Sequence, residues 1–126
     1  MRDHTKLKAF ELADDIVLEI YRITSKFPKE EIYGLTSQIR RAAVSVPSNI
    51  VEGCTRATQT DFFRFLTIAF GSLRELRYQV GLADRLGYML ERDSATIVIK
   101  LIEAEKVLNG LMQAVKVNKD RLKVEV

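Results

Sequence analysis

Apolar residues recur along this chain at helical spacing, in four blocks separated by short polar breaks. The first block, roughly residues 6–26, puts Leu12, Ala13, Ile16, Ile20, Ile23 and Phe27 on one face. "KFPKEE" ends it, since Lys26 suits a helix C-terminus and Pro28 cannot continue the ladder. The second block covers about 33–53 and holds Leu35, Ile39, Ala43, Val46 and Ile50 within one narrow arc. The third opens at "TQTDF", where Thr60 can cap the first turn and Asp61 complements the helix dipole. It carries Phe62, Phe65, Leu66, Ala69, Leu73, Leu76, Val80 and Ala83 on its core side to about residue 86, and Gly87 closes it. "ERDSATI" opens the fourth at about residue 93, with Asp93 or Ser94 as cap; Ile97, Val98, Leu101, Leu108, Met112 and Val115 continue it until the pattern fades after Lys116. No strand-like alternation and no repeat period occur. The pattern predicts one all-α domain over residues 1–126, an antiparallel up-down-up-down four-helix bundle.

The second block departs from a simple amphipathic helix. Pro47 sits in its middle, removing one backbone donor and freeing a carbonyl near Ala43. Opposite the apolar arc runs a polar line of Gln38, Arg41, Ser45, Ser48, Asn49 and Glu52. The short side chains Ser45, Ser48 and Asn49 can hydrogen-bond the disturbed backbone locally. If a neighbouring helix covers this line, Arg41 and Glu52 need charged partners, for which Glu75 and Arg74 are the candidates. The line then reads as a structural polar network of Gln38, Arg41, Ser45, Asn49, Glu52 and Glu75. The alternative is a solvated face.

Apolar residues also occur outside the stripe that each helix needs. Phe10, Val17 and Tyr21 on the first block, Val44 and Val51 on the second, and Phe63 and Phe70 on the third form this surplus. A chain of 126 residues builds a single core, so the surplus predicts a subunit interface and a homo-oligomer.

Composition narrows the class. Six glycines and two prolines leave little material for tight turns, which favours long helices. The longest uncharged runs, residues 42–51 and 65–73, are too short to span a bilayer, and the N-terminus has no apolar signal core. A lone cysteine, Cys54, suits a reducing compartment. The expectation is a cytoplasmic protein with no membrane partner. The net charge of +3 permits a nucleic-acid partner without demanding one. Between Lys29 and Lys100 every basic residue is an arginine, whose planar fork pairs bidentately with carboxylate or phosphate.

No catalytic constellation is present, and no metal or cofactor is expected. His4 is the only histidine. Asp14–Asp15 and Glu30–Glu31 are adjacent pairs whose members diverge by about 100° on a helix. Glu52 and Glu75 lack the Glu-x-x-His partners of di-iron bundles, and "GLADRLGY" lacks the lysine of a phosphate loop. The remaining candidate chemistry is Arg40, Arg56, Arg64 and Arg77, set against phosphate, with Phe63 and Phe70 available to stack on bases. The competing reading pairs these arginines with Glu52, Glu75 or Asp61 and spends the phenylalanines on an interface.

"YGLTSQIRRAAVSVPSNIVEG", followed by "FFRFLTIAFGSLREL" and "GY", resembles the small four-helix proteins encoded within intervening sequences of bacterial 23S ribosomal RNA genes. The likeness runs from about Phe10 to Val115 and rests on Gln38, Arg40, Arg41, Ser45, Pro47, Asn49, Glu52, Gly53, Ser72 and Glu75; Val51 stands where that family usually has alanine. The resemblance implies a ring-shaped homo-pentamer. It extends to the accessory protein of diversity-generating retroelements, a basic pentameric bundle that binds reverse transcriptase and RNA. The functional expectation is a non-enzymatic oligomer that binds structured RNA through arginine–phosphate contacts. The alternative is an oligomeric scaffold that docks another protein without touching nucleic acid, and the near balance of 17 acidic against 20 basic residues favours it.

Overall fold

The structure is a computed structural model that describes the backbone of residues 2–125 and the side chains of residues 2–116. It contains four helices, α1 (Lys8–Thr24), α2 (Leu35–Cys54), α3 (Gln59–Arg85) and α4 (Glu91–Glu125), and no strand among the described residues. Single 3-10 turns precede α1 and α2 at His4–Lys6 and Lys29–Glu31. Each helix packs on its neighbours in sequence and α1 packs on α4, whereas among the described residues the diagonal pairs α1/α3 and α2/α4 make no close backbone approach. The four helices therefore stand at the corners of a square around one core. Ile16 and Ile20, Ile39 and Ile50, Leu66, Leu73 and Leu76, and Ile97, Leu101 and Leu108 are fully buried there.

Helix ends follow local chemistry in some places and tertiary partners in others. Gly87 adopts φ +77° after α3. The Gly87 amide donates to the Asp84 carbonyl and the Tyr88 amide to that of Ala83, a Schellman closure that needs the left-handed residue. The cap of α3 is Thr58 rather than Thr60: its extended backbone lets its hydroxyl accept from the Asp61 amide. Asp93 is not the cap of α4, which begins two residues earlier at Glu91. Its buried carboxylate instead accepts from Arg22 of α1 at 2.9 Å, and that hydrogen bond holds the carboxyl below its ordinary pKa range. A tertiary ion pair thus claims the side chain that local sequence would assign to a cap. The start of α2 is capped by Glu31, whose Oε1 accepts from the Leu35 amide while Oε2 accepts from the Tyr88 hydroxyl at 2.8 Å. One carboxylate ties that helix start to the turn after α3. The helix α4 runs on past Lys116, where the apolar pattern stops, through a Lys-, Arg- and Glu-bearing segment of good helix propensity.

The seam between α2 and α3 is the most extensive among the described residues, and it is tight at Gly53. Small residues Ala42, Ala43 and Gly53 line the buried side of α2, and the helix continues across the buried Pro47. A Cβ added at Gly53 would lie 2.9 Å from the Phe65 Cβ and 3.2 Å from a Phe62 ring carbon. Gly53→Ala should therefore cost roughly 1–3 kcal/mol by overpacking. Gly71→Ala, at a helix position with nothing within 4 Å, should instead be stabilising by roughly 0.5–1 kcal/mol. Urea unfolding of both variants tests this, and a Gly53→Ala protein as stable as the parent would mean the helices can separate freely.

Candidate functional site

The polar line of α2 divides into a joined centre and exposed ends. Ser45 and Ser72 share a hydrogen bond at 2.8 Å across the α2/α3 seam, and the Asn49 amide donates to the Ser45 carbonyl at 2.8 Å and hydroxyl at 3.0 Å. Asn49 thereby supplies a local donor beside Pro47, as a short amide can. Ser48 is exposed. Gln38, Arg41, Glu52 and Glu75 are also exposed, so in the single chain they are not a buried network. The expected pairs Arg41–Glu75 and Glu52–Arg74 do not form, because nearer partners win. Glu52 accepts from Arg56 just beyond the end of α2, Glu75 accepts from Gln79 one turn along α3, and Arg74 reaches Glu105 of α4. Arg41 makes no hydrogen bond or ion pair among the described residues. With Gln38, Ala42, Ser45, Ser72 and Glu75 it lines an open polar cleft of about 290 Å³.

Beside this cleft lies a larger groove of about 610 Å³ over the α1/α2 seam, which shares Arg41 and Ser45 with it. Its apolar lining is Tyr21, Ile32, Tyr33 and Val44, all exposed, with Tyr33 96% exposed. Of the residues expected at a subunit interface, Tyr21 and Val44 stand in this groove. The others are less available than their spacing implied. Phe10, Val17, Phe63 and Phe70 pack half-buried against the chain's own core, and Val51 is half-buried. The bundle absorbs the phenylalanines because large rings at the edge of a stripe still reach the seams between helices. Ile32 and Tyr33 escape a reading based on helical spacing since they lie in the turn before α2.

The four candidate arginines go to three places. Arg40 donates from Nε to Thr24 Oγ1 at 2.8 Å and covers the Tyr21 ring at 4.7 Å, which fixes it along the α1/α2 groove. Arg77 donates to Glu105 at 2.8 Å on the α3/α4 seam. Only Arg56 and Arg64 meet: their guanidinium carbons lie 4.6 and 4.5 Å from the Phe65 ring. Phe65 is accordingly half-buried beneath them, not a core residue. Arg2 joins this end of the molecule, stacked 4.2 Å over Phe62 and donating to the Arg56 carbonyl and to Gln59. Arg56 also pairs with Glu52, and Arg64 lies 3.5 Å from Asp61. Two of the acids expected as competing partners are thus engaged, while Arg77 turns to an α4 residue that local sequence did not single out.

Other chemistry is sparse. Cys54 is buried, and desolvation pushes its thiol up. His4 stacks edge-on against Phe10. Among the described residues no group of three or more His, Cys, Asp or Glu side chains is placed to hold a metal, and no helix is long and apolar enough to cross a membrane.

A family model described as "23S rRNA-intervening sequence protein" matches residues 5–110, and the chain belongs to that family. A crystal structure from Bacteroides thetaiotaomicron, described as a protein with unknown function from the S23 ribosomal protein family, superposes with a TM-score of 0.77 at 22% identity. The match covers 83% of this chain and 95% of that one, and it shows a shared fold. No curated protein matches the chain.

The exposure of Arg41 and Glu52 leads to a defined expectation for single chains. Arg41→Ala and Glu52→Ala should each leave folding stability within roughly 0.5–1 kcal/mol of the parent, as for other exposed charged groups. Chemical denaturation at several protein concentrations measures this. A loss of about 3–5 kcal/mol for either would mean that assembly buries the charge and strands its partner.

Proposed function

Taking family membership as the premise, we propose that this chain is a non-enzymatic, cytoplasmic up-down-up-down bundle that assembles into a homo-oligomeric ring and binds structured RNA through arginine–phosphate contacts. The alternating helix directions are supported by the order of the ion pairs. Asp15 meets Lys100 at 2.7 Å and Arg22 meets Asp93 at 2.9 Å, so residues rise along α1 as they fall along α4. Self-association is supported by the α1/α2 groove, where exposed Tyr21, Ile32, Tyr33 and Val44 form one contiguous apolar strip. The resemblance seen in the sequence favours five subunits.

The observation that carries the RNA reading is the convergence of Arg2, Arg56 and Arg64 over Phe62 and Phe65 at the α2–α3 turn. Stacking on rings holds the guanidinium planes in place, and the donors not engaged by Glu52, Asp61, Gln59 or the Arg56 carbonyl are those that suit phosphate. A ring repeats this cluster once per subunit, so modest single contacts combine by multivalency. A protein-docking scaffold is the second reading. It is favoured by the ion pairs that Arg56 and Arg64 make with Glu52 and Asp61, which already neutralise part of the cluster.

One measurement tests the ring that both readings share, and a second separates the readings. Sedimentation equilibrium at micromolar concentration should give a species several times the 14.4 kDa chain mass. Tyr21→Glu or Val44→Glu should return it to the monomer mass. These exposed positions are better probes than Phe63 or Phe70, which also support the core. A parent protein that sediments as a monomer removes the ring. Binding to a structured RNA should weaken steeply with salt, and the Arg56→Ala/Arg64→Ala variant should bind all sequences more weakly with a shallower salt slope. RNA that fails to bind even at low salt leaves the scaffold reading.

A further inference from the structure

The α3/α4 seam carries a second basic feature, on the side of the bundle away from the α1/α2 groove. Glu105 of α4 is buried, its side chain only 8% exposed, yet it is surrounded by cations. Arg77 donates from Nη1 to Glu105 Oε2 at 2.8 Å, and Arg74 brings Nη1 to 3.2 Å from Oε1. That Oε1 is buried and accepts no hydrogen bond, so the Arg74 contact is electrostatic without being a well-directed bond. Lys106 and Asn109 stand on the α4 wall of the same open cleft, which has a volume of about 250 Å³ and includes Phe70. Three cations against one carboxylate leave a charge of +2 at the seam, from 3 − 1. Each guanidinium carries five N–H donors, of which Glu105 engages one on each arginine at most. The remaining edges belong to side chains 62% and 41% exposed.

We propose that this seam is a phosphate-binding cleft, in which Arg74 and Arg77, gathered into a fork by the buried Glu105, take a phosphate group with Lys106 and Asn109 completing the contacts. A carboxylate beneath two arginines does two things. It holds their planes at one spot, and it competes with any incoming anion for their charge. The fork offers paired donors to the oxygens of a phosphate, and Lys106 adds a point charge. The phosphate can be part of an RNA backbone or a free phosphoanion. Only the first carrier rests on the RNA reading above; the cleft itself does not.

Calorimetric titration with pyrophosphate at low ionic strength tests the cleft directly, using the intact assembled protein. Arg74→Ala/Arg77→Ala should weaken binding at least about tenfold. Glu105→Gln should strengthen it, by about three- to tenfold, because the competing charge is gone while the amide oxygen can still accept from Arg77. Opposite signs cannot come from general loss of structure, which would weaken both variants. No binding by the parent protein, or equal weakening in Glu105→Gln and the arginine variant, overturns the proposal. A labelled structured RNA, titrated in parallel, identifies the carrier. If the arginine variant loses affinity for the RNA as well, the carrier is a nucleic-acid backbone. If pyrophosphate binds through the cleft and RNA does not bind, the cleft stands with a free phosphoanion as ligand and the RNA reading falls. If RNA binding is unchanged by the arginine substitutions and pyrophosphate does not bind, the cleft falls and the RNA reading survives.

Discussion

The close approach of α2 to α3 at Gly53 is the constraint on which the rest of this molecule depends. Where a Cβ would come within 2.9 Å of the next helix, only hydrogen can be accommodated without displacing Phe65. That approach fixes the ring of Phe62 in the core and leaves Phe65 at the rim. With Phe65 at the rim, the arginines at the end of α2 and the start of α3 find one aromatic face between them. Further along the same seam the helices remain near enough for two serine hydroxyls to meet. The basic cluster and the polar centre of α2 are thus consequences of one packing decision.

What was legible in the sequence was whatever depends on neighbours along the chain. The apolar stripes placed all four helices, and the arc containing Ile39, Ala43, Val46 and Ile50 is buried as its spacing required. Gly87 marked a helix end because only a left-handed residue closes it in that way. Features that depend on partners distant in sequence were less accessible. Asp93 has the chemistry of a cap, but Arg22, seventy-one positions away, offers a charge-assisted bond to a buried carboxylate. Arg41 and Glu52 look like members of a buried network, yet spacing cannot tell a covered polar line from an uncovered one. The side chains that did join, Ser45, Asn49 and Ser72, are short and reach only what packing has already brought near.

Phenylalanines on the margin of a stripe posed a related ambiguity. A helical wheel treats position as an angle and ignores the reach of the side chain. Phe63 and Phe70 lie off the central arc of α3, but a ring spans enough distance to cover the seam toward the core. Among the shorter β-branched residues the outcome is divided: Val17 and Val51 are half-buried, whereas Val44 stays exposed on α2. Apolar surplus is therefore better judged by length and angle together. An exposed strip lies beside Tyr33, partly built from a turn to which no helical period applies.

The choice of arginine through the middle of the chain acquires a physical meaning once these contacts are compared. Arg40 lies along Tyr21, Arg56 and Arg64 along Phe65, and Arg74 and Arg77 around Glu105. Each uses a flat face or one edge to settle against the protein; Arg56 and Arg64 also face Glu52 and Asp61, and the Arg56 Nε is buried, so the edges left to another group are fewer there than on Arg74 and Arg77, whose side chains are 62% and 41% exposed. Lysine has no such division: its ammonium is a point charge that either joins an internal partner or faces solvent. Stacking on an exposed ring contributes only about 0.5–1 kcal/mol, so it holds a guanidinium in place without making it costly to recruit. If the chain binds anions as proposed, arginines positioned in this way would select where an anion is received even though the net charge is small. Under the RNA reading this favours a few well-placed phosphate contacts over a diffuse basic surface, and under the scaffold reading the same forks would receive carboxylates of a protein partner.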